Sequence, residues 1–224
     1  GHAWVYQNAL KPHSPGFAGQ RARLFDRSGK KQLGEGYFDP NSPIRVRICS
    51  TGKASLGVKE MEARLKQAID LRNSIFNPEK TNAYRLVNGP GDDLPGLVID
   101  RYANTAVIKL DGAGAEAFWD IDRIAELLIE IAGINSVYQR LKSKDKKGKL
   151  IAGRSLPEEV EVIENGLKFL VNIKQGQKTG FFLDQRENRK RIQSFTQNAK
   201  VLNVFGYTGG FSVYAGAAGA KQVT

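Results

Sequence analysis

Residues 201–215, VLNVFGYTGGFSVYA, constrain this chain more than any other segment. Residues 200–205 read as a short buried strand, residues 206–210 as a loop, and residues 211–219 as a helix rich in Ala and Gly. Gln222, Val223 and Thr224 then look like the opening of another strand. A strand–loop–helix–strand order is the first half of a doubly wound α/β domain, where ligands bind beyond the carboxyl ends of the strands. One such unit cannot bury both faces of its sheet, so the chain is expected to stop in mid-domain.

The loop also narrows the ligand. Gly206, Gly209 and Gly210 would let backbone approach a bound group where a Cβ would block it. Phosphate readings fit poorly, because the loop has no Walker lysine and its GxxGG spacing is not the dinucleotide GxGxxG. A nucleotide-dependent oxidoreductase is therefore a weak alternative. A cofactor without phosphate, such as S-adenosylmethionine, suits the loop better, and glycines kept only for packing are the plain alternative. A second segment, GQKTGFFLDQREN at residues 176–188, places polar, flexible Lys178-Thr179 between Gly176 and Gly180. Asp184 stands where it could cap the helix expected over residues 186–194.

Upstream the pattern changes twice. Residues 1–55 are broken by Gly and Pro too often for long helices, leaving strand-like runs at residues 22–26, 37–38 and 44–49, the profile of a small β-barrel-like module. Residues 58–76 switch to helical spacing of Met61, Leu65, Ala68, Ile69 and Ile75. Strands are expected at residues 84–88, 97–101 and 106–110 and a helix at 121–132. Residues 158–164, Asn165-Gly166 and residues 167–173 read as a hairpin. The run KSKDKKGK at residues 142–149 is a solvated loop or an RNA-touching one.

Lys and Arg number 34 against 23 Asp and Glu, a formal charge of +11 that favours a polyanionic partner, RNA or DNA first. Arg21, Arg23, Arg45 and Arg47 are the candidate phosphate contacts. Arg45 and Arg47 share one face of an alternating strand, which could equally be a merely solvated face. The single cysteine, Cys49, excludes an internal disulfide, fits a reducing cytoplasm, and reads as a structural strand residue. No apolar run reaches a membrane span, no signal peptide opens the chain, and no metal site is expected.

Taken together, GQKTGFFLDQRENR and VLNVFGYTGGFSVYA resemble the class I S-adenosylmethionine-dependent RNA methyltransferases that modify cytosine C5 in large-subunit ribosomal RNA. GHAWVY at residues 1–6, GEGYFDPNSPIRVRI at 34–48, YRLVNGPGDDLPGLVIDRY at 84–102 and IENGLKFLVNI at 163–173 extend that likeness over essentially the whole chain. The resemblance implies a PUA RNA-binding domain at residues 1–56 lacking its first strand, and a central α+β domain at 57–173. The front of a Rossmann-like methyltransferase domain would occupy 174–224. It implies cofactor contacts from Lys178, Thr179, Gly180, Phe182, Asp184, Gln185 and Arg186, and from Phe205, Gly206, Tyr207, Thr208, Gly209, Gly210 and Phe211. Phe181, Phe182 and Tyr207 would be apolar walls or core. An acidic ribose-binding residue, an Asp-Pro-Pro segment and the cysteine that adds to cytosine C6 are expected beyond Thr224, so no catalytic residue is expected here. Cys49, placed in the presumed PUA domain, cannot substitute. Residues 138–149 depart from the family pattern. The alternative function is a non-catalytic RNA-binding protein with a degenerate methyltransferase scaffold, and a homodimer is left open.

Overall fold

The computed structural model describes residues 2–11, 16–141 and 148–224; the basic run expected at 142–149 lies mostly outside them. Strands β1 (Trp4–Tyr6), β2 (Arg21–Phe25), β3 (Gln32–Phe38) and β4 (Ile44–Thr51) pair antiparallel in the order β1-β4-β3-β2. Among the described residues this pairing leaves β1 and β2 as edges and does not close into the expected barrel. β3 is longer than its sequence suggests because Gly34 and Gly36 sit inside it. A Cβ on Gly36 would stand 2.0 Å from the Arg47 carbonyl oxygen, so the close approach of the bulged β4 requires glycine there.

Helix α1 (Val58–Ile75) leads to a five-stranded sheet, β5 (Ala83–Asn88), β6 (Leu97–Tyr102), β7 (Thr105–Leu110), β8 (Ser136–Arg140) and β9 (Lys149–Gly153), in chain order. Only β7 and β8 run parallel; α2 (Ala113–Phe118) and α3 (Ile121–Ile131) make the crossover between them. α2, β8 and β9 had no clear signal in the sequence. α3 starts at an Asp120 side chain that accepts the Arg123 N–H at 3.0 Å. Hairpin β10 (Val160–Glu164) and β11 (Leu167–Val171) turns through Asn165 and Gly166, both at positive φ, as a two-residue Asn-Gly turn demands. Then come α4 (Arg186–Thr196), β12 (Lys200–Val201), α5 (Gly210–Ala217) and β13 (Gln222–Val223). β12 is shorter than the expected strand: its only ladder is two parallel residue pairs with β13.

Two cores flank the five-stranded sheet. On one face Leu65 and Ile69 of α1 and Ile124 and Leu128 of α3 pack on Leu86, Ile99 and Ile108. Tyr37 and Cys49 of the N-terminal sheet join this same core. Tyr37 Oη donates to the Pro95 carbonyl at 2.9 Å, and Trp119 Nε1 donates to the same oxygen at 3.1 Å. A Cβ on Gly96 would meet Tyr37 Oη at 2.1 Å, at φ +78° where side chains are strained anyway. The N-terminal module is therefore welded to the central sheet. On the opposite face Ala83, Tyr102, Val107 and Tyr138 pack under Val162, Phe169 and Val171 of the hairpin, with Phe181, Leu183 and Tyr214.

Cys49 is buried, and burial pushes its thiol up to about 12. At pH 8 the folded chain should hold on the order of 10³-fold less thiolate than the unfolded chain. Iodoacetamide at pH 8 is expected to label Cys49 only in denaturant, followed by mass spectrometry; native labelling at the denatured rate would contradict this packing.

Candidate functional site

The segment 176–186 is held to the central sheet by a relay of hydrogen bonds. Phe181 N–H donates to Tyr102 Oη at 3.2 Å, Tyr102 Oη bonds Thr179 Oγ1 at 2.8 Å, and Thr179 Oγ1 donates to Asp100 Oδ2 at 2.6 Å. Arg85 closes the chain on the Asp100 carboxylate, which is 1% exposed. Because Thr179 gives its proton to Asp100, Tyr102 must be the donor to Thr179. Burial, foremost, keeps the Tyr102 phenol protonated well above its ordinary range, which suits that role.

Lys178, at φ 54°, turns its ammonium outward over the Phe182 ring, 4.5 Å from the centroid, and onto both Asp184 oxygens at 2.8 and 3.0 Å. That ammonium bond is the main reason the Asp184 carboxyl titrates below its usual value. Asp184 does not cap α4 as its position suggested: it lies one residue too early, in the 3-10 turn Leu183–Gln185, its carboxylate is engaged by Lys178, and the N-cap residue Gln185 makes no side-chain cap bond. Gln185 instead accepts from Asn188 at 2.9 Å, and Arg186 lies over Phe76, the residue that follows α1, at 4.6 Å. Gly180, at φ +139°, is required by the chain itself, since a Cβ would sit 2.7 Å from Val171 Cγ1.

Tyr207 brings the two sequence motifs together. Its hydroxyl accepts the Gln177 N–H at 2.6 Å and donates to the Gly180 carbonyl at 3.3 Å, while its ring meets Phe182 edge-on at 5.3 Å. The loop keeps alternate residues, Phe205, Tyr207 and Gly209, at φ 60°, 51° and 70°. Left-handed backbone at two aromatic residues is stored strain of the kind that clusters at functional sites. Phe205 is 99% exposed and Thr208 is exposed, whereas Phe211 is half-buried. No side chain caps α5, so its first-turn N–H groups remain available to an anionic group. The glycines are only partly a ligand feature: a Cβ on Gly206 would meet the Asn203 side chain at 2.7 Å, and one on Gly210 would meet Arg189 Cδ at 3.0 Å. Gly209 is the one held by its φ rather than by a neighbour. Phe181 belongs to the core, 3% exposed, which settles it as packing and not as an open wall.

Behind both motifs lies a buried ion pair the sequence did not disclose. Arg189 donates to both Glu164 oxygens at 2.8 and 2.7 Å and to the Phe182 carbonyl at 3.0 Å, its guanidinium stacked 4.4 Å over Phe181. Tyr214 of α5 donates to Glu164 Oε1 at 3.1 Å. The only clue was polarity out of place, Glu164 closing an apolar hairpin strand and Asp100 interrupting the apolar strand LVIDRY.

The proposed phosphate contacts divide. Arg47 is 3% exposed, bound to Asp111 at 2.8 Å and 3.7 Å from Asp39, so the shared solvated face expected for Arg45 and Arg47 is wrong for Arg47. Arg21 is tied to Glu35 at 2.9 Å and to the Leu56 carbonyl at 2.8 Å. Arg23 keeps 70% of its side chain exposed, and Arg45 makes a 3.0 Å hydrogen bond to Gln7.

Comparison with known proteins bears on both ends of this architecture. Residues 1–51 match the PUA-like domain family, and residues 125–224 match the S-adenosylmethionine-dependent methyltransferase family. The chain joins a PUA-like domain to an S-adenosylmethionine-dependent methyltransferase domain. Over its full length it is 38% identical to a ribosomal RNA large subunit methyltransferase of Deinococcus radiodurans, covering 58% of that protein. It is 38% identical to ribosomal RNA large subunit methyltransferase I of Alteromonas mediterranea, covering 57%. A solved structure from Streptococcus mutans, assigned as a SAM-dependent methyltransferase, superposes with a TM-score of 0.84 at 25% identity over 99% of this chain and 57% of its own. Another, complexed with SAH, gives a TM-score of 0.85 at 25% identity, covering 99% of this chain and 57% of its own. The chain thus spans rather more than half the length of the relatives it matches. The PUA-like match ends with β4, while the methyltransferase match begins inside α3, well ahead of the boundary expected at residue 174. Among the described residues no helix is long and apolar enough to cross a membrane.

Within the methyltransferase domain the Arg189–Glu164 pair is the testable joint. Removing one partner of a buried pair leaves the other uncompensated, at a cost of about 3–5 kcal/mol. Arg189→Ala is expected to lower the urea unfolding free energy by that amount, and Arg189→Met with Glu164→Leu to recover most of it. A single variant within about 1 kcal/mol of the parent would show that the pair does not hold the motifs.

Proposed function

We propose that this chain is part of an S-adenosylmethionine-dependent enzyme that methylates large-subunit ribosomal RNA, with cytosine C5 as the acceptor carbon. The observation that carries the reading is 38% identity over this whole chain, and over 58% and 57% of their own lengths, to two proteins named as ribosomal RNA large subunit methyltransferases. The motif resemblance supports the choice of C5. When bound, S-adenosylmethionine supplies an electrophilic methyl group.

The residues present fit that cofactor. The uncapped start of α5, with exposed Thr208 ahead of it, suits the methionine carboxylate. Phe205 and Tyr207 offer an apolar shelf beside it, and Phe182 meets Tyr207 across the joint between the motifs. Asp184, ionised at neutral pH, accepts hydrogen bonds at the rim from a cationic or hydroxyl-bearing ligand. Lys178, Thr179, Gly180, Gln185 and Arg186 shape and support that rim, and Gly206, Gly209, Gly210 and Phe211 supply its backbone. Arg23 and Arg45 remain the phosphate contacts of the N-terminal sheet, with Arg21 and Arg47 structural.

Cytosine C5 becomes nucleophilic only after a thiolate adds to C6, and the sole thiol of the 224 residues, Cys49, is buried and protonated. Incubated with labelled S-adenosylmethionine and ribosomal RNA, this chain alone is expected to transfer no methyl group. Stoichiometric methylation at C5 would overturn the assignment.

Cofactor binding is tested by calorimetry with S-adenosylhomocysteine. Thr208→Asp puts a fixed carboxylate ahead of α5, which the helix tolerates well but which competes with the ligand's own carboxylate. The expected result is unchanged thermal stability and an affinity loss of about tenfold or more. Unaltered affinity in the folded variant would remove the carboxylate from this position.

A further inference from the structure

The face of the five-stranded sheet that carries the hairpin is only half covered. In cross-strand rows it reads first Ala83, Tyr102, Thr105 and Ser136, then Arg85, Asp100, Val107 and Tyr138. The third row is Asn88, Val98, Lys109 and Arg140. Ala83, Tyr102, Val107 and Tyr138 lie beneath the hairpin and the segment around Phe181. Beyond them the sheet turns polar and basic and opens into a cavity of about 430 Å³. The change happens at Asp100, where the hydrogen-bond relay fastens Thr179.

Asn88, Val98 and Lys109 form the floor of this cavity, with Arg85 and Lys178 on the side of the cofactor motif and Trp4 of β1 on the other. Arg47, Arg85 and Lys178 line it already paired with Asp111, Asp100 and Asp184, and Lys109 lines it without an ion pair among the described residues. The Lys109 side chain is exposed and makes no hydrogen bond or ion pair among the described residues. Trp4 is 38% exposed, whereas the other tryptophan, Trp119, is buried and hydrogen-bonded in the core. A second cavity, of about 540 Å³, shares Arg85, Asn88, Lys178 and Thr179 with the first and continues along Asp184 and Arg186. Neither cavity is lined by residues 205–211. The groove therefore ends on Lys178, Thr179, Asp184 and Arg186, at the rim of the proposed cofactor site, and does not reach residues 205–211.

We infer that single-stranded RNA lies in this groove, with a base stacked on Trp4 and a backbone phosphate on Lys109. The inference rests on the RNA-methyltransferase reading and adds to it the path by which the substrate strand reaches Lys178 and Thr179. Chemistry selects the occupant. The Lys109 ammonium suits a phosphodiester, and an exposed indole suits any base face. The volumes match pockets for single small groups, about 300–1,000 Å³, and so suit one base and one phosphate at a time. An RNA base that is to be modified must leave its helix, so the flanking strand is single in the productive complex.

The test titrates a short, unstructured, fluorescein-labelled single-stranded RNA into the parent chain and into Lys109→Ala, Trp4→Ala and Trp4→Phe, with S-adenosylhomocysteine affinity measured alongside. Lys109→Ala is expected to weaken RNA binding about three- to tenfold and to flatten the salt dependence by about 0.7 in slope. Trp4→Ala should weaken it about tenfold, and RNA should quench a tryptophan signal that is absent in Trp4→Phe. S-adenosylhomocysteine affinity should hold in all three variants. RNA affinity unchanged in both alanine variants, with S-adenosylhomocysteine still bound, overturns the groove and leaves the enzyme reading intact. Equal affinity for the matching duplex also overturns it. A parent chain that binds no RNA overturns both the groove and the RNA half of the proposed function.

Discussion

The bidentate bond between Arg189 and Glu164 is the constraint on which the candidate site depends. Two opposite charges, 3% and 1% exposed, meet in the second core. Burying such a pair is close to neutral for stability when both are present, because the desolvation cost offsets most of the attraction. Its effect is positional. One guanidinium fixes the hairpin through Glu164, the first motif through the Phe182 carbonyl and a ring through Phe181, while Glu164 fixes α5 through Tyr214. A hydrophobic contact at the same place would tolerate sliding, whereas forked hydrogen bonds do not.

What was legible in the sequence was whatever is local. The Asn165-Gly166 hairpin, α1 and α3 follow from turn chemistry and helical spacing, and the structure has them within a residue or two. β3 was underestimated because Gly34 and Gly36 look like breakers until the bulged partner strand is seen to press on them. β8 and β9 were not legible because a strand parallel to β7 and its edge neighbour take their places from the crossover, not from their own alternation. The candidate site divides the same way. Lys178, Asp184 and Tyr207 could be picked out by motif, but the relay through Asp100 and Tyr102 joins residues nearly eighty positions apart. Sequence spacing carries no record of such a bond.

Net charge proved a poor guide to place. Several arginines behind the +11 total are spent inside the fold: Arg47 on Asp111, Arg72 on Asp92, Arg189 on Glu164. An arginine in an alternating strand looks like a solvated cation, yet Arg47 is enclosed because β4 is an inner strand covered by the loop bearing Asp111. Lys109, by contrast, is exposed, and its side chain makes no hydrogen bond or ion pair among the described residues.

The weld at Tyr37 and Gly96 has a consequence for the distance between two surfaces of this chain. A module on a flexible tether samples many separations from its neighbour. Here the N-terminal sheet shares a core with the sheet that anchors residues 176–186, and the Pro95 carbonyl receives bonds from both Tyr37 and Trp119. The two surfaces therefore stand at a set distance, like the jaws of a fixed caliper. Exchanging the N-terminal module by recombination would require its counter-surface on the central sheet to travel with it.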